Sequence, residues 1–130
     1  MGRSPCLLQP TPKLLGVNIN PSVSYNCFAK ISDCNKLQAF GNTKDVIDME
    51  PFAEKWQAFG WYVAQGDGHN VAELVNIFKK IPYVAGKPTV VIAHTVKGKG
   101  VSFMENKLEW HYRSPSAEQC KMAMEELGKE

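Results

Sequence analysis

The chain has 130 residues, enough for one domain with a modest core. Hydrophobic residues make up 44%, the usual share for a folded globular protein. Fifteen Lys and Arg against thirteen Asp and Glu leave a net charge of +2, too small and too scattered for a nucleic-acid surface. No run of about eighteen apolar residues exists, so no membrane-spanning helix is expected.

Residues 1–24 are expected to be an irregular arm. Pro5, Pro10, Pro12 and Pro21 interrupt any long periodic element, leaving room for one short strand near Leu14–Asn18. The four cysteines, Cys6, Cys27, Cys34 and Cys120, form no Cys-x-x-Cys pair and have no paired histidines. Reduced thiols in a cytoplasmic protein fit better than a zinc site or a disulfide framework.

From residue 25 onward the pattern alternates. Cys27–Cys34 reads as a strand ending at Asp33-Cys34-Asn35. Pro51 and Gly60 bracket a helix, with Phe52, Trp56 and Phe59 on one face. Trp61-Tyr62-Val63 reads as a short strand and Gly66-Asp67-Gly68 as a turn. Asn70 with Glu73 three residues on is a capping-box pattern, opening a helix with Val71, Leu74, Val75 and Phe78 along one face. Thr89 to Val96 is a β-branched apolar run, as in a parallel-sheet strand buried on both sides. A last helix starts near Ser114-Pro115-Ser116 and carries Cys120, Met124 and Leu127 at helical spacing. Strands alternating with helices predict an α/β fold, a mostly parallel sheet flanked by helices. Ligands of such sheets gather at the carboxyl ends of strands, here the loops after Asn35 and Val96.

Two segments carry chemistry. In Asp33-Cys34-Asn35-Lys36-Leu37, an amide oxygen and a backbone carbonyl two residues apart can face one ion, although an isolated Asn-x-Leu is an ordinary solvated turn. In Lys97-Gly98-Lys99-Gly100 a cation leaves a buried strand beside a glycine, so ammonium and backbone can both approach a phosphate; a solvated turn is the plain alternative. Lys99 reads as solvated. His69 and His94 read as structural, one near a helix start and the other in a buried strand.

Together with Phe59-Gly60-Trp61, Asp67-Gly68-His69, Val101 to Glu105 and Trp110-His111, these segments resemble transketolases from about Asp33 to Leu127. The likeness is closest to the N-terminal subunit of split transketolases, in the second half of the thiamine-diphosphate-binding domain. It implies that residues 25–130 are that half-domain, a partial thiamine-diphosphate-binding fold. It implies thiamine diphosphate and Mg²⁺ as cofactors, an ion that takes six oxygens at about 2.0–2.1 Å. Asn35 and Leu37 would ligate the metal, while Lys97 and His111 would lie at the cofactor. His111, fourteen residues beyond Lys97, would contact diphosphate or donor substrate and is the one catalytic candidate.

The reaction so implied transfers a two-carbon ketol unit between sugar phosphates. Counted back from Asn35, the metal-binding Asp of the motif would fall near residues 3–9, and Arg3 to Gln9 contain no acid. Asp67 lies on the wrong side of Asn35 to replace it. The expectation is a subunit or fragment inactive alone, completed by a C-terminal transketolase subunit or by self-association. A deoxyxylulose-phosphate synthase-like fragment and a non-catalytic interaction module that keeps the fold are the alternatives. Exposed apolar surface is expected in each case.

Overall fold

The computed structural model describes residues 28–128. Readings that fall on the first 27 residues, including the arm, the strand near Leu14–Asn18, and Cys6 and Cys27, lie outside them.

The fold is α/β. Its main sheet has three parallel strands in the order β1 (Ala29–Cys34), β5 (Thr89–His94), β4 (Tyr62–Asp67). Between β1 and β4 come a two-stranded hairpin, β2 (Leu37–Gln38) with β3 (Gly41–Asn42), and two short helices, α1 (Thr43–Val46) and α2 (Phe52–Ala58). Helix α3 (Val71–Lys79) joins β4 to β5. A 3₁₀ turn (Leu108–His111) and α4 (Ala117–Leu127) complete the described chain.

Strand β5 is central because it can be dry on both faces. Thr89 to Ala93 are all buried, and only His94, at the end, is exposed. Side chains of Val or Ile size each contribute about 1.5–3 kcal/mol when fully buried. The register Asp33↔Ala93 and Cys34↔His94 on one side, with Gly66↔Ala93 and Asp67↔His94 on the other, brings three strand ends level.

The two sheet faces receive different helices. On one, Ala64, Val91 and Ile77 of α3 form the core, with Tyr62 stacked on Tyr83 at 4.4 Å. Burial, and then the neighbouring Tyr62, raise the Tyr83 phenol above its ordinary pKa. Gly66 makes room for α3, since a Cβ there would lie 2.6 Å from Ile77 Cδ1. On the other face α2 contributes Trp56, which meets Trp61 at 4.9 Å and carries Lys30 at 5.0 Å over its ring.

At Asn70 half of the expected capping box forms, because the Asn70 N–H donates to the Asp67 carbonyl at 3.2 Å. Asn70 Oδ1 accepts the Glu73 N–H at 3.0 Å, and Ser116 and Gln119 form a reciprocal capping box on α4.

Several sequence expectations are corrected. The strand read as Trp61-Tyr62-Val63 runs to Asp67, so Gly66 and Asp67 belong to β4 and the turn begins at Gly68. His94 ends β5 in an exposed position, because the strand stops there instead of continuing to Val96. Phe59 terminates α2 and is 81% exposed, while Val71 on α3 is 71% exposed. In α3 the buried residue is Ile77, since the Gly66 notch selects that side. Helix α4 buries none of its residues, and Cys120 is exposed. Apolar surface remains outside as expected, with Phe40 85% and Ile31 of the outer strand β1 59% exposed.

Candidate functional site at the carboxyl end of the sheet

The three strands end together, and their exits line one open cleft. Cys34 to Leu37 form one wall, Asp67 and His69 another, and His94 to Val96 with Lys99 and Asn106 the third. The outer ends of parallel strands are where α/β sheets place ligands, because the crossover helices leave that rim open.

The first wall is a tight turn. Lys36 has φ of +61°, which reverses the chain between Asn35 and Leu37. Asn35 Oδ1 accepts the Leu37 N–H at 2.9 Å, an Asx turn in which the amide oxygen keeps a second lone pair. The Thr43 N–H donates to the Lys36 carbonyl at 2.9 Å and closes the hairpin. An amide oxygen beside a backbone carbonyl is the oxygen-only donor type that suits Mg²⁺.

The loop after β5 makes the third wall. Its first bond still belongs to the sheet, with Thr95 N–H donating to the Cys34 carbonyl at 3.3 Å, and Thr95 Oγ1 donates to Asp33 Oδ1. Beyond that the loop folds on itself. Asn106 N–H donates to the Lys97 carbonyl at 2.9 Å, and Gly100 N–H to Glu105 Oε1 at 3.1 Å. Gly98 has φ of +73°, and a Cβ there would stand 2.7 Å from the Met104 carbonyl oxygen, so no other residue fits.

Asn35 and Leu37 therefore share a cleft with the start of the Lys97 loop. Lys97 is half-buried and does not line that cleft; the cation of this loop that does is Lys99, which also sits 3.9 Å from Glu105. His111 is exposed at the end of the 3₁₀ turn, with its ring 4.7 Å from that of Tyr112. Tyr112 Oη donates to the Ala39 carbonyl at 2.8 Å and ties this turn to the Asn35–Asn42 hairpin. Asp67 and His69, read from sequence as a turn and a structural histidine, both line the cleft. Their signal was the Asp-Gly-His string, whose position only the sheet register reveals. Among the described residues no group of three or more His, Cys, Asp and Glu side chains is arranged to hold a metal ion.

Comparison with known proteins agrees with this architecture. The model of the transketolase thiamine-diphosphate-binding domain matches residues 23–130. The chain belongs to the transketolase family. It is 41% identical over 97 residues to an apulose-4-phosphate transketolase subunit of Phocaeicola vulgatus, covering 75% of this chain and 34% of that protein. It is 42% identical over 99 residues to 6-deoxy-6-sulfo-D-fructose transketolase subunit SqwG of Clostridium sp., covering 76% and 36%. The transketolase of Campylobacter jejuni superposes with a TM-score of 0.70 at 26% identity, over 78% of this chain and 16% of that chain. The chain thus spans about a third of the two curated relatives, 34% and 36% of their lengths. Among the described residues no helix is long and apolar enough to cross a membrane.

Proposed function

We propose that this chain supplies one part of a thiamine-diphosphate and Mg²⁺ site, in an enzyme that passes a two-carbon ketol unit between sugar phosphates. The observation that carries the reading is the shared cleft, in which the Asn35 turn and the Lys97 loop leave neighbouring parallel strands at the same end. The oxygen donors of the turn fit the group. Asn35 would offer its amide oxygen and Leu37 its carbonyl to the metal, with Lys99 offsetting diphosphate charge from the cleft wall and Lys97 from the start of the same loop, outside that wall. His111 would donate to a diphosphate or donor-substrate oxygen, the catalytic role assigned to it. When bound, thiamine diphosphate supplies the carbanion chemistry, and the protein orients it.

The neutral donors of the turn offset little of the metal's charge. The reading therefore includes a second contributor, either another segment or a partner chain, and inactivity of this chain alone. Both curated relatives described above are named as subunits, and Phe40, Ile31 and Phe59 leave apolar surface for such a partner.

Calorimetry tests the proposal. Thiamine diphosphate with Mg²⁺ is titrated into the chain, alone and with a C-terminal transketolase subunit. Heat only in the presence of the subunit, abolished by Asn35→Ala, is the expected result. Absence of heat in both arms would leave a fold that binds no cofactor and overturn the reading.

A further inference from the structure

The sheet's hydrogen bonding runs out at the rim of the cleft. Gly68 N–H donates to the His94 carbonyl at 2.8 Å, and Thr95 N–H to the Cys34 carbonyl at 3.3 Å. The next amide, Val96, lies beyond the ladder and directly precedes Lys97. Its N–H donates to Nε2 of His69 at 2.7 Å. His69 is itself fixed, because its backbone N–H donates to Asp67 Oδ1 at 2.8 Å. The turn that carries it is pressed against β5, since a Cβ at Gly68 would stand 2.3 Å from Thr95 Cγ2. An imidazole from the β4–α3 turn therefore completes the first amide of the loop after β5.

We infer that His69 is a positioning residue: its unprotonated ring sets the direction in which the Lys97–Gly100 loop leaves the sheet, and makes that direction pH-dependent. An N–H can donate only to a ring nitrogen that keeps its lone pair, so the ring proton must sit on Nδ1. Protonation turns Nε2 into a donor facing another donor and strips Val96 of its acceptor. A ring that has taken up a proton no longer accepts, so the clip is closed while Nε2 keeps its lone pair and opens as pH falls. The titratable groups around the cleft are Cys34 on β1, Lys36 on the hairpin, Asp67 on β4, His94 on β5 and Lys99 on the loop. Glu73 of α3 sits over Gly66, one turn away. In its bearing on the cofactor the inference rests on the proposal above; in its bearing on the loop it does not.

The test uses amide hydrogen exchange of the full chain by NMR, at pH 7.5 and 5.5, corrected for the intrinsic pH dependence of exchange. The wild type should protect Val96 at the higher pH and lose roughly three- to tenfold of that protection at the lower. His69→Phe, which has no acceptor, should expose Val96 at both values. His69→Gln, whose Oε1 can replace Nε2, should protect it at both. Unchanged exchange at Val90 to Ala93 reports an intact sheet. Should the Phe variant fail to fold, the wild-type pH series and the Gln variant decide. Val96 protection indifferent to pH and equal in every folded variant would overturn the inference. Thiamine diphosphate titrations run in parallel separate the two readings: Val96 responding while the wild type binds nothing sinks only the cofactor proposal. Equal affinity in a folded Phe variant with an exposed Val96 sinks the link between clip and cofactor.

Discussion

Two loops leave neighbouring strands of the same sheet and reach the same cleft, yet they differ in how much of their hold comes from distant elements. The loop after β1 is held mainly by its own sequence. Asn35 closes its turn on Leu37 two residues away, and Thr43 returns to Lys36 at 2.9 Å. From afar it is reached by Tyr112, at Ala39. The loop after β5 is clamped from two distant elements. His69 takes the Val96 N–H, and Glu126 of α4 accepts both the Ser102 N–H at 2.5 Å and the Ser102 hydroxyl at 2.9 Å. A loop made of near-neighbour bonds can form as soon as its residues are present. A loop clamped at long range exists only when the rest of the fold is assembled, so its order follows the stability of the whole.

The largest expected effect falls on the clamped loop. Gly98→Ala forces a side chain into left-handed backbone and against Met104, with a penalty of about 3 kcal/mol in urea unfolding. A variant as stable as the wild type would mean that the Lys97–Asn106 segment does not pack as described. Next comes Glu126→Ala, which removes two bonds to a charged acceptor and should cost about 1.5 kcal/mol, with faster amide exchange at Ser102 and not at Leu37. If Leu37 loosened equally, the two loops would be one cooperative unit and the contrast would fail. Asn35→Ala should cost about 1 kcal/mol and speed exchange at Leu37 alone, since the bond it removes is local. The smallest change is a gain. Lys36→Gly relieves a side chain at φ of +61° and should stabilise by about 0.5 kcal/mol after the added freedom of the unfolded chain is counted. A loss at this position, read from the same unfolding curves, would argue that the Lys36 side chain makes a contact that offsets its backbone strain.

The same contrast explains what could be read in advance. Asn35, and Asn70 with Glu73, act on residues two or three positions away, and their patterns were legible. The Thr89–Ala93 run was legible as a buried parallel strand, because only a central position hides such side chains on both faces. His69 was legible as a residue but not as the partner of Val96, twenty-seven positions away. The buried side of α3 was misread because the Gly66 notch that selects Ile77 belongs to another element.

The amino-acid order by itself determined the alternation of strands and helices, the starts of α2, α3 and α4, the Asn35 turn and the likeness to transketolases. Each rests on near-neighbour geometry or on strings of adjacent residues. Only the tertiary structure decided that β4 ends level with β1 and β5, that Asp67, His69 and Lys99 join Asn35 at one rim, and that α4 grips Ser102. Those facts depend on strand register and on helix placement. Both are set by which side chains the whole chain can bury together, and no local run of residues encodes that sum.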